Sequence, residues 1–386
     1  MIVKVADHIL SPLGESTEAN LRSVLAGQTA LRRHAGVRGM PEPFVASLFA
    51  EGAIAERFAA ETGERAAAWP LFEQLAILSV QRALAKVPQI DPASERVRFV
   101  VSTTKGNVDL LDDPRGFAPE RVWPGVAARC VARWFGNPHP PVVVSNACAS
   151  GACAQLTAAR MLRAGVCDAV IVVGAEYQSK FIVTGFHSFK ALAPEACRPF
   201  DRDRCGLNPG EAAATIIYVR KPAAEVTAAD WVLVRGAIRN DANHISGPSR
   251  TGEGCFRALR QTVRPEEIAA LAVVNAHGTA TLYNDEMESI ALTRAGLAGV
   301  PVNSLKGCFG HTMGAAGVLE TILTQRAIDA GVIPGTRGYA VSGVSQPLLL
   351  SADAVPTQRR AFVKLLSGFG GCNAALLFKR GGGDLC

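Results

Sequence analysis

Two kinds of stretch alternate along this chain. Short apolar runs rich in Val and Ile give way to longer alanine-rich stretches whose apolar positions recur every three to four residues. The first kind predicts buried strands and the second helices, and their alternation is the pattern of layered α/β folds. Strands are expected at Val97–Ser102, Val142–Ser145, Ala169–Gly174, Thr215–Val219, Val232–Ile238, Leu271–Asn275 and Phe362–Ser367. Helices are expected at Pro70–Ala85, Gly151–Ala164, Asp285–Ala295 and Met313–Ala330. Asp109–Val122 and Lys190–Gly210, rich in Pro, Gly and charge, predict surface excursions, and the closing GGGDLC a frayed tail.

One coarse repetition is visible. VVVS leads into NACASGA and a long alanine-rich helix; VNSLKGCFGHTMGAAG leads into another, Val318–Ala330. Two similar α/β halves are expected, residues 1–230 and 231–386. No Gly/Ser or Pro-rich linker lies between them, so they are expected to pack as one body.

Composition narrows the function classes. The chain has 386 residues, 48% hydrophobic and 19% charged, which is globular rather than disordered. No run of about 18 apolar residues predicts a membrane span. The N-terminal MIVKVADHILSPLG lacks the layout of an export signal. Ten cysteines are scattered without a C-x-x-C pair, which argues against a disulfide framework and a zinc site and places the chain in a reducing cytoplasm. A net charge of +6 suits an acidic partner without specifying one. No basic run interleaves with aromatics, so nucleic acid is the weaker expectation.

Four motifs carry the candidate chemistry. In VVVSNACASGACAQ a strand breaks into small residues around Cys148. A thiol at a helix start feels the positive end of the dipole and free N–H groups, which favour a thiolate and offer an oxyanion site. A cysteine packed at a tight turn explains this segment equally well. In AVVNAHGTATLYNDEMES an apolar strand delivers His277 into a loop with Thr279 and Thr281. Alone, His277 reads more readily as structural, and the threonines as turn residues. In VNSLKGCFGHTMGAAGVLE, Lys306 and His311 bracket a turn, and Glu320 in the next helix needs a cation if it is buried. In LLSGFGGCNAALLF three glycines surround Phe369; a strained turn and a bulge between strands both fit. Metal ligands usually come in short-spaced pairs, whereas Cys148, His277 and His311 are isolated, so no metal is expected.

Taken together, in this order and spacing, the motifs resemble the β-ketoacyl-[acyl carrier protein] synthases, the condensing enzymes of fatty acid and polyketide elongation. CRPFDRDRCGLNPGEAAA and DANHISGPSRTGEG extend the resemblance over nearly the whole chain. It implies a duplicated five-layered αβαβα thiolase-like fold, usually dimeric. It implies that Cys148 carries the acyl group and that His277 and His311 polarise a malonyl thioester and stabilise its enolate. Backbone N–H groups of Cys148 and Phe369 would hold the oxyanion, and Phe369 would also gate the site. Lys306 and Glu320 would order the histidine turn, and Thr279, Thr281, Phe186 and Gly370 would contact substrate. The Cys–His–His set fits an elongating synthase. No cofactor is implied: substrates would ride on the phosphopantetheine of a separate acyl carrier protein. The remaining partner would be a second copy or a ketosynthase-like paralogue.

Several positions depart from the family pattern: Asn146 and Ala149 beside the nucleophile, Cys205–Gly206–Leu207, Leu282, Lys105 in STTKGN, and a short region around Phe181–Phe189. They make a specialised polyene or aryl-polyene synthase with a chain-length-factor-like partner an alternative to fatty acid synthesis. A non-elongating acyltransferase on the same fold is a further one. Arg202, Arg204 and Arg250 are candidates for steering an acidic carrier.

Overall fold

In the computed structural model, which describes residues 1–382, ten strands form most of one continuous sheet; the closing GDLC of the expected tail lies outside the described residues. The strands are β1 (Ile2–Leu10), β2 (Val97–Ser102), β3 (Val142–Val144), β4 (Ala169–Glu176) and β5 (Ala212–Arg220). Then follow β6 (Trp231–Asn240), β7 (Leu271–Asn275), β8 (Pro301–Asn303), β9 (Ala361–Gly368) and β10 (Cys372–Arg380). Their spatial order is β8-β7-β9-β10-β6-β1-β5-β4-β2-β3, with Leu349–Leu350 added beside β8.

That order is one motif written twice. Outward from β1 run β5 and β4, antiparallel, then β2 and β3, parallel. Outward from β6 run β10 and β9, antiparallel, then β7 and β8, parallel. In each half the first strand is followed in space by the fifth, fourth, second and third. β1 and β6 join the halves through two pairs, Val3 with Val232 and Lys4 with Trp231.

Among the helices of the described residues, six matter for the site: α1 (Leu71–Leu84), α2 (Pro124–Trp134), α3 (Ser150–Arg163), α4 (Glu253–Thr262), α5 (Leu282–Arg294) and α6 (Ala316–Asp329). The period of two along the strands shows how they stack. Val170 and Val172 of β4 face a central core shared with α3 and α6, while Ile171 and Val173 face a second core under α1 and α2. On β10, Ala374, Leu376 and Phe378 face the centre, and Ala375 and Leu377 face α4 and α5. The result is the αβαβα thiolase-like arrangement. Strands buried on both faces explain why β4 reads as an unbroken apolar run.

α3 and α6 occupy equivalent places, each following the third strand of its half, and they cross where neither has a side chain. A Cβ on Gly317 would fall 2.5 Å from Ala152 N, and one on Gly151 would fall 2.9 Å from Gly317 Cα. Only glycine allows that approach.

One expectation needs correction. Lys190–Gly210 is no surface excursion throughout: Phe200 and Asn208 are fully buried. The Asn208 side chain accepts from Cys197 N–H and donates to the carbonyls of Ala193 and Glu195. This internal satisfaction lets a polar segment lie beneath the His311 turn.

Candidate active site

The nucleophile turn is held by its own backbone. Ala147 takes a left-handed φ of 45°, and Ser150 Oγ accepts from Asn146 N–H at 2.8 Å while donating to Ala147 O at 2.5 Å. Cys148 therefore sits two residues ahead of α3, buried. Gly368 of β9 presses against it: a Cβ there would lie 3.1 Å from Cys148 N. Burial pushes the Cys148 thiol up to about 11, despite the Lys306 and Lys105 cations and a Phe369 N–H on the sulfur. Desolvation outweighs the nearby cations, and Cys148 rests as a thiol.

His277 is set by two carboxylates of α5. His277 and Gly278 N–H donate to the two oxygens of Glu288 at 2.6 and 2.7 Å. Thr279 and Ala280 N–H donate to Asp285 Oδ1 at 3.0 and 3.2 Å. This is why an acidic helix start follows the histidine in sequence. Across the cavity, His311 N–H donates to Asn208 O at 2.6 Å, and its Nδ1 accepts from Met313 N–H at 3.2 Å. A neutral ring accepting at Nδ1 carries its proton on Nε2. Burial, with Lys306 and Lys364 nearby, holds both imidazoles well below the usual histidine range, so both are neutral at pH 7. The rings meet edge to face at 5.0 Å.

The Cys148 sulfur and one nitrogen from each imidazole lie within 4.8 Å of one another. They open on a cavity of about 1070 Å³ that Thr279, Thr281, Phe186 and Phe369 also line. The two threonine hydroxyls share a hydrogen bond at 2.9 Å. Phe369, 37% exposed, stands over the cavity with its ring 6.1 Å from Phe186 and 5.4 Å from Phe189. Gly370 has φ 79°, which suits glycine alone. Its N–H donates to Ile245 O and its carbonyl accepts from Asn240, both at 2.7 Å, so its polar groups are spent on the 240–245 loop.

Beneath the histidines, Lys306 Nζ lies 2.9 Å from Glu320 Oε1, both side chains buried. A second lysine joins them: Lys364 Nζ lies 2.5 Å from Glu320 Oε2. The strand expected over Phe362–Ser367 contains Lys364 but does not single it out. The signal was a cation in an otherwise apolar run. Arg204, a candidate for carrier steering, is instead internal, donating to the carbonyls of Asp201, Gly343 and Leu282. Arg250 lines the cavity and is exposed, and Arg202 is exposed.

Comparison with known proteins settles what this geometry belongs to. Residues 2–224 match the β-ketoacyl synthase N-terminal domain and residues 232–340 its C-terminal domain. The chain belongs to the β-ketoacyl synthase family. Among its relatives is the 3-oxoacyl-[acyl-carrier-protein] synthase 2 of Vibrio cholerae, 28% identical over 96% of this chain and 97% of that one. The ketoacyl synthase alpha subunit of the tetracenomycin polyketide synthase of Streptomyces glaucescens is 31% identical, covering 96% and 95%. Among solved structures, the Xenorhabdus doucetiae ketosynthase ApeO in complex with its chain length factor ApeC superposes with a TM-score of 0.82 at 25% identity, covering 98% of each chain. As a β-ketoacyl synthase this protein is an acyltransferase, a condensing enzyme of fatty acid or polyketide elongation. Among the described residues, no helix is long and apolar enough to cross a membrane.

Proposed function

We propose that this β-ketoacyl synthase extends an acyl chain through Cys148, with His277 and His311 dividing the work of decarboxylation. The observation that carries the reading is the convergence of the thiol and two uncharged imidazoles within 4.8 Å in one cavity. In the first half-reaction, the Cys148 sulfur attacks the thioester carbonyl of an acyl chain on the phosphopantetheine of a separate acyl carrier protein, and its proton passes to the departing pantetheine sulfur. The C–S bond to the pantetheine sulfur breaks and that thiol leaves. In the second, a malonyl thioester loses carbon dioxide, and the electron pair of the broken C–C bond forms an enolate. The His311 Nε2–H donor and His277 face that developing charge. The enolate carbon attacks the acyl-Cys148 carbonyl, and the Cys148 sulfur leaves with the electron pair and takes up a proton from solvent to restore the thiol.

The Phe369 N–H that points at the sulfur, with Cys148 N–H, would hold the oxyanion of both tetrahedral intermediates. Neutral imidazoles suit the second step, because an imidazolium would bind the malonyl carboxylate and oppose its loss. Thr279 and Thr281 would meet the pantetheine arm, Phe186 the acyl group, and Phe369 would move between the half-reactions. The setting is a reducing cytoplasm, with a second copy or a paralogue completing the assembly. Likeness to ApeO with its chain length factor supports a paired assembly; the reading would then be a specialised polyene synthase.

The test is intact-mass measurement after incubation with an acyl-carrier thioester. Wild type gains the acyl mass, and Cys148→Ala gains none. Acylation of Cys148→Ala would overturn the assigned nucleophile, and absence of carbon dioxide release from malonyl-carrier would reduce the enzyme to an acyltransferase.

A further inference from the structure

β9 places an ammonium where its neighbours place methyl groups. Lys364 is fully buried between Val363 and Leu365, where an unpaired cation is very costly. Its Nζ is 2.5 Å from Glu320 Oε2 and donates to the carbonyls of Asn275 and Ala276, both at 3.2 Å. Those are the two residues that precede His277. The other oxygen of Glu320 holds Lys306, at 2.9 Å, in the turn that precedes His311. A single carboxylate on α6 thus gathers one lysine from each histidine's support, and Lys364 completes the connection by binding the His277 backbone directly.

We propose that Lys364 is a positioning residue for the decarboxylative half-reaction: it clamps the Asn275 and Ala276 carbonyls to Glu320 and so fixes His277 relative to His311. This rests on the reading that the two histidines stabilise the enolate. Acyl transfer needs Cys148 and the oxyanion N–H groups, none of which Lys364 touches. The two half-reactions should therefore respond differently to its loss.

The charged and titratable groups facing Lys364 come from several elements. Glu320 lies on α6, Lys306 on the turn before His311, Glu288 on α5, and both imidazoles lie above. On the far side β10 presents Leu376 opposite it. Desolvation lowers Lys364 to about 8, partly offset by Glu320. The ammonium is present below that pH, and its charge pairing with Glu320 is lost above it. Decarboxylation is expected to decline as pH rises through about 8. Acyl transfer to Cys148, whose thiol lies at about 11, is expected to rise over the same range.

The experiment compares wild type and Lys364→Met, a near-isosteric change, in two single-turnover assays across pH 6–9.5. One follows acyl mass on Cys148, and the other follows carbon dioxide release from malonyl-carrier by pre-acylated enzyme. Lys364→Met should slow carbon dioxide release by about 10- to 100-fold, the scale of an ångström-level misplacement. Acylation should stay within about threefold, and the decline near pH 8 should vanish from the variant. Equal loss in both assays, or in neither, overturns the proposal. If Lys364→Met does not fold, the wild-type profiles decide: decarboxylation that fails to fall while acylation rises overturns it. A wild type that releases no carbon dioxide at any pH would defeat the condensing reading itself, a result distinct from either.

Discussion

Gly317→Ala tests whether the crossing of α3 and α6 sets the distance between the thiol and its charge-stabilising partners. The new Cβ would lie 2.5 Å from Ala152 N, 2.6 Å from Gly151 C and 2.9 Å from Gly151 Cα. All three are backbone atoms, so no side chain can turn aside. Restoring the 3.4 Å of ordinary contact from 2.5 Å requires the helices to part by about 0.9 Å. Overpacking of this kind costs about 1–3 kcal/mol, offset by at most about 1 kcal/mol of improved helix propensity. At about 2.1 cal/mol/K of unfolding entropy per residue, a net loss of about 1–2 kcal/mol in a chain of 386 residues should lower Tm by about 1–2 °C. Because Cys148 precedes α3 and His311 precedes α6, parting the helices shifts the two turns relative to one another. Misplacement of about 1 Å costs about 10²-fold in rate, so condensation should fall at least about tenfold. Acyl transfer, which uses groups on the Cys148 side, should fall less. Differential scanning calorimetry and the two half-reaction assays read these effects. Unchanged Tm with condensation within twofold of wild type would show that the crossing relaxes without moving the site, refuting the argument.

Other outcomes follow from the same geometry. Alkylation of Cys148 by iodoacetamide should accelerate about tenfold per pH unit between 7 and 9, since a thiol raised to about 11 is protonated throughout that range; a plateau near pH 7 would show a thiolate activated at rest. Phe369→Ala keeps the backbone N–H but removes the ring packed on Phe186 and Phe189. Acylation should persist and condensation should fall about tenfold, at the low end of what positioning groups supply; intact-mass and product assays showing equal losses would count against a gate. Glu288→Gln replaces a carboxylate that accepts from His277 and Gly278 N–H. Gln keeps one acceptor but turns an NH2 toward the other backbone N–H, and a buried donor left unsatisfied costs about 1–3 kcal/mol, so a thermal melt should register a drop in Tm, and an unchanged one would show those bonds to be dispensable.

Much of the fold was legible because buried parallel strands announce themselves. Val97–Ser102 and Leu271–Asn275 occupy the spans their apolar runs predicted. β1 was not foreseen, and the reason is physical. Lys4, Asp7 and His8 break its apolar pattern, yet Asp7 is buried against Lys4 at 2.6 Å and Arg326 at 3.0 Å. Ion pairing of this kind depends on α6, which arrives three hundred residues later. Met313–Ala330 was expected as one helix, whereas a 3₁₀ turn at Met313–Ala315 precedes α6, bent by the left-handed φ of 43° at Met313. At the site, Cys148, His277 and His311 could be named because glycine-rich turns mark them. Their protonation states could not, since these depend on how much water the surrounding layers remove. Lys364 was hidden for the same reason: nothing in a strand's sequence says which carboxylate lies above it.

The repeated strand order places the Cys148 turn and the Lys306–His311 turn at one topological address, each after the third strand of its half. The same backbone device therefore performs opposite electronic tasks. In one copy it offers an electron pair to a carbonyl; in the other it receives the negative charge that decarboxylation releases. Neither copy holds a full reaction cycle. Turnover is a property of the join between them, so the bare glycine crossing acts as the common origin from which both sets of reacting atoms are measured.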